Sequence, residues 1–153
     1  MRDTLQLRPP QPDDYHAWLP LWDAYNAFYG RHGELALPAT VSQLTWQRFL
    51  APAEPMHVLL AWRGGQLLGL AHYVFHRNTL MAHRACYLQD LFTVPAARGQ
   101  GVARQLISAV LAQAQAAGSP SVYWHTRYDN AAARLLYDRV ARNTGFVVYR
   151  HTF

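Results

Sequence analysis

Not one lysine occurs among the 153 residues, and cysteine occurs once. A lone Cys86 excludes an internal disulfide, and such cysteine usage points to a reducing cytoplasm. No apolar run approaches the roughly 18 residues needed to cross a bilayer. The opening Met1-Arg2-Asp3-Thr4 is polar, with Asp13 and Asp14 soon after it, which is no signal-peptide pattern. Acidic groups are also few: nine, against 14 arginines, for a formal charge of +5. Those arginines are scattered along the chain. A nucleic-acid binder would gather them into a stripe, so that class is disfavoured, while an anionic small ligand would be served by the excess. The one HxxxH spacing, His72 to His76, falls in a strand-like segment and no Cys–His cluster accompanies it, so no metal site is expected.

What is present is an ordinary folded composition, 51% hydrophobic and 15% charged. The length is that of one domain with a real core. Thr4 to Arg8 reads as a short strand ended by Pro9-Pro10. Asp13 can cap a helix carrying Trp18, Leu21, Trp22, Tyr25, Phe28 and Tyr29 at three- and four-residue steps, closed by Gly30 and Gly33. Val41 to Leu50 is a second helix. The period then becomes that of strands: His57 to Trp62 and Gln66 to His76 flank the hairpin signal Arg63-Gly64-Gly65, and Ala85 to Val94 reads as a central strand. Gly101 to Ala117 is a helix with a stripe of Val102, Leu106, Val110 and Leu111, closed by Gly118. Ser121 to Thr126 is a strand, Asn130 to Ala141 a helix, and Gly145 to Thr152 a last strand. The expected fold is α/β, a mixed, mostly antiparallel sheet flanked by helices in the order βααβββαβαβ.

Between the third long strand and its helix stands Arg98-Gly99-Gln100-Gly101-Val102-Ala103. Two glycines there forfeit roughly 1 kcal/mol each of helix propensity relative to alanine. A helix N-terminus offers unpaired N–H groups and the positive end of the dipole. Glycines let an anion reach the backbone with no Cβ in the way. The junction is therefore a phosphate cradle. It is no P-loop, which needs a lysine, and no dinucleotide fingerprint, which needs three glycines after the first strand.

Arg98-x-x-Gly101-x-Ala103, after "CYLQDLFTVPAA", is followed by Asn130-x-x-Ala133-x-x-x-Tyr137 in "DNAAARLLYDRV". In this order and at this distance the pair resembles the GNAT superfamily of N-acetyltransferases, most of all its diamine acetyltransferases and the yeast histone, polyamine and D-amino-acid acetyltransferases. The resemblance covers the whole order of elements and is strongest from Tyr87 to Tyr137. It implies a single N-acetyltransferase domain over 1–153 that moves the acetyl group of acetyl-CoA, its co-substrate, to a primary amine by direct attack. It implies that backbone groups of Leu91, Phe92 and Thr93 hold the acetyl carbonyl and pantetheine arm. The loop Arg98, Gly99, Gln100, Gly101, Val102, Ala103 and Arg104 would hold the pyrophosphate. The strands of Phe92 and of Tyr123 to His125 would splay to admit the pantetheine. Asn130, with Ala133 on the same helix face, would bond the pantetheine. Tyr137 would sit beside the sulfur as the general acid, since a phenol of pKa near 10 is protonated at neutral pH.

The general base stays open. Relatives carry Leu-Glu-Asp where this chain has Leu88-Gln89-Asp90, and Gln89 cannot titrate. Asp90 should point to the opposite strand face, and His72, His76 and His125 are further candidates. Gln89, Asp90, Tyr29 and Glu34 are the acceptor-side residues. Trp18, Trp22, Tyr25 and Trp46 lie on the same side, mainly as core. Glu34 is the sole carboxylate of the loop between the first helices, which disfavours a polyamine and leaves small amines, amino acids or a peptide amine. Gly145-Phe146 falls four residues later than the pattern of relatives, which displaces the last strand. Its run Phe146-Val147-Val148-Tyr149 would leave an apolar edge to be covered in a homodimer. A catalytically silent acyl-CoA sensor on the same fold is the alternative.

Overall fold

Gly64 and Gly65 both take positive φ, 55° and 76°, as a two-residue hairpin turn demands. They fold β2 (Met56–Arg63) back onto β3 (Gln66–His76), with Arg63 opposite Gln66. The computed structural model describes residues 3–153, so the polar start at Met1 and Arg2 lies outside it. β1 (Gln6–Arg8) joins the outer side of β2, and β4 (Ala85–Thr93) the outer side of β3, all antiparallel. β5 (Val122–Tyr123) then adds to β4 in parallel, giving the order β1-β2-β3-β4-β5.

Helices α1 (Tyr15–Phe28) and α2 (Ala39–Leu50) cover one face of this sheet, and α3 (Val102–Ala116) the other. Strand alternation sorts the side chains: Val58, Leu60 and Leu70 go to the first face, Leu59, Ala61, Ala71 and Tyr73 to the second. Trp18, Trp22, Tyr25, Trp46 and Phe49 fill the α1–α2 side, where full burial of such a ring contributes roughly 2–3 kcal/mol. Gly69 is required for closeness. A Cβ there would lie 2.8 Å from the Phe92 carbonyl oxygen and 3.0 Å from Val102, so α3 could not settle on the sheet. α4 (Ala131–Val140) packs Leu136, Tyr137 and Val140 against the α3-side core.

Several expectations are corrected. Residues 141–153 form no strand, so Gly145 to Thr152 is not a sheet member and the order of elements lacks its final β. A strand exists only by pairing, and β5, two residues long rather than Ser121 to Thr126, offers almost no ladder. Phe146 and Tyr149 are consequently exposed. Ala85 to Val94 is central only up to Tyr87, because β5 ends there. Asp13 is not the cap. Pro12–Asp14 forms a 3-10 turn in which Asp14 accepts from the Gln11 N–H at 2.7 Å. Phe28 is exposed; on α3 the expected Val102, Leu106 and Val110 are buried and are joined by Ile107 and Ala114, while Leu111 is exposed.

Candidate active site

β4 and β5 pair only through Cys86–Val122 and Tyr87–Tyr123. Beyond Tyr87 the two chains part, leaving the β5-side backbone of Gln89 to Thr93 without a strand partner. Tyr25 and Tyr29 of α1, Leu88, Gln89 and Leu91 of β4, Trp124 and His125 after β5, and Tyr137 of α4 line the resulting slot. Thr93, the last residue of β4, has a buried Oγ1 with no hydrogen-bond partner among the described residues. Such an orphan group fits a site built to receive a polar ligand.

The loop after β4 leads directly into the cradle. Gly99 and Gly101 have φ of +73° and +81°, a conformation that favours glycine, and a Cβ built on either would meet nothing within 4 Å. The space above them is open. Gly101 is the N-cap of α3; no side chain caps the helix and no acidic residue stands in its first turn. The first N–H groups of α3 are thus left for an anion. Arg98 is held by its Nε donating to the Thr93 carbonyl at 3.3 Å. Gln100 is tied down from both sides, accepting from Arg63 Nη1 at 2.8 Å and donating to the Ala96 carbonyl at 3.1 Å. Arg104 is exposed on the first turn.

Asn130 stands at the N-terminus of α4, donating to Thr126 Oγ1 at 3.1 Å. Ala133 and Tyr137 follow on the same half-buried face. The Tyr137 ring packs edge-on against Trp124, centroids 5.6 Å apart, and its hydroxyl is pushed up to about 12 by burial. It is therefore a protonated donor throughout the physiological range.

On the acceptor side a β-bulge decides the geometry. His72 opposes Asp90 and Tyr73 opposes Leu88, so Gln89 is the extra residue. The bulge inverts the alternation: Cys86 and Leu88 pack on the α3 side, Phe92 on the α1–α2 side. Asp90 goes with Phe92 and meets His72, Oδ2 to Nδ1 at 2.9 Å. Neither His72 nitrogen is free, because Nε2 accepts from Trp18 Nε1 at 3.0 Å. His76 is bonded through Nε2 to the Tyr123 hydroxyl at 2.7 Å and does not line the slot. Of the three histidines, His125 alone lines it, bonded to the Tyr87 hydroxyl at 3.2 Å. Glu34 is exposed in a 3-10 turn, apart from the residues that line the slot. Burial, and then the charge of Asp90, raises the hydroxyl pKa values of Tyr25, Tyr29 and Tyr87.

The acetyltransferase (GNAT) family model matches residues 18–141. The chain belongs to the GNAT family. It is an N-acetyltransferase, moving an acetyl group to an amine. It is 34% identical over 152 residues to the D-amino-acid N-acetyltransferase HPA3 of Saccharomyces cerevisiae, covering 98% of this chain and 92% of that one. It is 28% identical to the uncharacterized N-acetyltransferase YhfO of Bacillus subtilis, covering 95% of each. AAC(6')-Iy, solved with the bisubstrate analogue CoA-S-monomethyl-acetylneamine, shares the fold at TM-score 0.83 and 18% identity, over 98% of this chain and 99% of that one.

Sequence reasoning brought the slot and cradle of this GNAT chain together but missed two supports. Arg63, from the β2–β3 hairpin, was silent in sequence because its partner Gln100 lies 37 positions away. The Trp18–His72–Asp90 chain was equally silent, and only the paired register of β3 and β4 reveals it.

Proposed function

We propose that this GNAT enzyme acetylates the amine of a small, amino-acid-like acceptor with acetyl-CoA as donor. The observation that carries the reading is Tyr137 lining the slot opened by the divergence of β4 from β5, together with the uncapped N-terminus of α3 that follows β4 in the chain. Backbone groups of Leu91, Phe92 and Thr93 would hold the thioester arm, with Asn130 and Ala133 along its other side. Arg98 to Arg104 would hold the pyrophosphate. Gln89, Asp90 and Tyr29 would receive the acceptor, and the similarity to a D-amino-acid N-acetyltransferase favours an amino acid over a polyamine. The neutral amine nitrogen forms its bond to the carbonyl carbon and the carbon–sulfur bond breaks. Tyr137 gives its proton to the departing sulfur and regains one from the newly formed amide nitrogen. Acetyl-CoA supply and the single buried Cys86 support a cytoplasmic setting. The exposed apolar residues Phe146 to Tyr149 support a homodimer in which a second copy covers them.

Mass spectrometry of an amine panel incubated with acetyl-CoA tests the reading, with acetylated D- and L-amino acids as the expected products. CoA binding without turnover on any amine would instead make the chain an acyl-CoA sensor. Light scattering giving only 17 kDa at micromolar concentration would remove the dimer.

A further inference from the structure

We propose that Trp18 and His72 are positioning residues that fix the Asp90 carboxylate at the acceptor end of the slot. This inference rests on the acetyl-transfer reading and names what aims its acceptor-side anion. An indole N–H can only donate. Trp18 is fully buried and its Nε1 lies 3.0 Å from His72 Nε2, so that nitrogen must accept. The proton of a neutral imidazole is then confined to Nδ1, which donates to Asp90 Oδ2 at 2.9 Å. One donor-only atom thus sets the direction of the whole chain, from Trp18 through His72 to Asp90.

The imidazole cannot turn to relax this arrangement. Phe49 and Trp22 enclose it with ring centroids at 4.7 and 4.9 Å, and it is only 3% exposed. The chain also ends blindly at Trp18, with no exit to water, so it is unsuited to carrying protons away. At its other end stands Asp90, a carboxylate with capacity for further donors beyond His72. After burial, the charge of Asp90 raises the pKa of the Tyr25 hydroxyl, and Tyr25 lines the slot together with Gln89. The bulge at Gln89 is what turns Asp90 to this face; bulges beside active sites re-aim side chains in this way. Asp90 is itself buried and stands next in sequence to the slot-lining Gln89 and Leu91, so an acceptor ammonium in the slot would feel an anion whose orientation is set from Trp18, far earlier in the chain.

Three variants and one spectrum test this. His72→Leu removes the donor to Asp90; it should raise KM for the amine about tenfold or more while KM for acetyl-CoA stays within about twofold. His72→Asn places an amide nitrogen where Nδ1 stands and should restore most of the amine KM. Trp18→Phe keeps a ring but frees Nε2, and should raise the amine KM by less than His72→Leu does. In long-range proton–nitrogen NMR spectra of histidine-labelled wild-type protein, His72 is assigned by the signal that His72→Asn loses. It should show a protonated Nδ1 and a bare Nε2. The opposite tautomer, or an unchanged amine KM in folded His72→Leu, would overturn the proposal. Absence of turnover on every amine by the wild type would sink the acetyl-transfer reading, whereas the spectrum judges the Trp18–His72 pair by itself.

Discussion

The two faces of the sheet do different work with different side chains. On the α3 face the core is mostly aliphatic, and what it presents to a ligand is main chain: uncapped helix N–H groups and two glycines at positive φ. On the α1–α2 face the core is aromatic and encloses a buried hydrogen-bonded chain of side chains. Backbone recognition suits a co-substrate whose phosphates never change, whereas side-chain recognition suits the acceptor, which differs from one relative to the next. Tyr137 and the slot stand where the two meet, so disturbing either face should give a different kinetic signature.

The largest effect is expected at that meeting point. Tyr137→Phe keeps the ring against Trp124 and removes the donor. Turnover should fall about 100- to 10,000-fold with acetyl-CoA affinity unchanged, because a general acid in the proposed role acts only as charge develops on sulfur. Single-turnover rates at saturating amine check this, and a parental rate would reduce Tyr137 to packing. Next comes the main-chain side. Gly101→Glu places an L-residue at φ +81° and a negative charge beside the open N-terminus of α3. CoA affinity in a calorimetric titration should drop at least about a hundredfold, nearly 3 kcal/mol. Among the described residues, none beyond the two adjoining Gly101 comes within 4 Å of a Cβ there, so the domain should still fold. A retained CoA affinity would sever the cradle from its assigned role.

The same contrast explains what could be read from sequence. The cradle and α4 are local: Arg98 to Ala103 and Asn130 to Tyr137 each lie within eight residues or fewer, so the resemblance to a family's motifs exposes them. The sheet order up to β4 was legible too, through hairpin glycines and alternation. The acceptor side was not. Its chain joins residues 18, 72 and 90, and the bulge that lets Asp90 face His72 leaves no mark in the apolar pattern of "CYLQDLFT". His72 looked like a candidate base because composition shows an imidazole but not its two occupied nitrogens. The final strand failed for a related reason, since Phe146 to Tyr149 has β propensity, but propensity does not supply a partner.

Extremes of pH should separate the faces again. On the α3 face, burial pushes the Cys86 thiol from 9.0 to about 11, and burial followed by the nearby Cys86 pushes the Tyr73 hydroxyl from 10.0 to about 12. Each folded group holds its proton where the unfolded chain has already lost it. Stability from these groups is therefore complete below about pH 9. It falls as pH rises toward 11 and 12, by about 2–3 kcal/mol for each group. Cys86→Ala should make thermal unfolding between pH 9 and 11 less pH-dependent, and an unaltered slope would remove the thiol from the account.

The smallest effect belongs to acid and to the α1–α2 face. Arg8 grips Asp14 with both nitrogens, Nη1 to Oδ2 at 2.6 Å and Nη2 to Oδ1 at 2.9 Å, pinning the start of α1 to β1. The Arg8 hydrogen bond, with a further one from the Gln11 N–H, lowers the Asp14 pKa against an opposing push from burial. A depressed carboxyl contributes stability that is present above its unfolded value of 3.8 and lost as pH falls through the lower, folded one. The loss should thus begin near pH 4 and deepen below it, in the opposite direction from the thiol and phenol terms. Hydrogen bonds to a charged group are worth about 1.5–3 kcal/mol, and burial opposes them here, so a net of about 1–2 kcal/mol is expected. Asp14→Asn should unfold at lower temperature than the wild type at pH 7, with the gap narrowing as pH falls below about 4. A gap as wide at pH 3 as at pH 7 would mean that Asp14 steadies α1 by shape and not by charge.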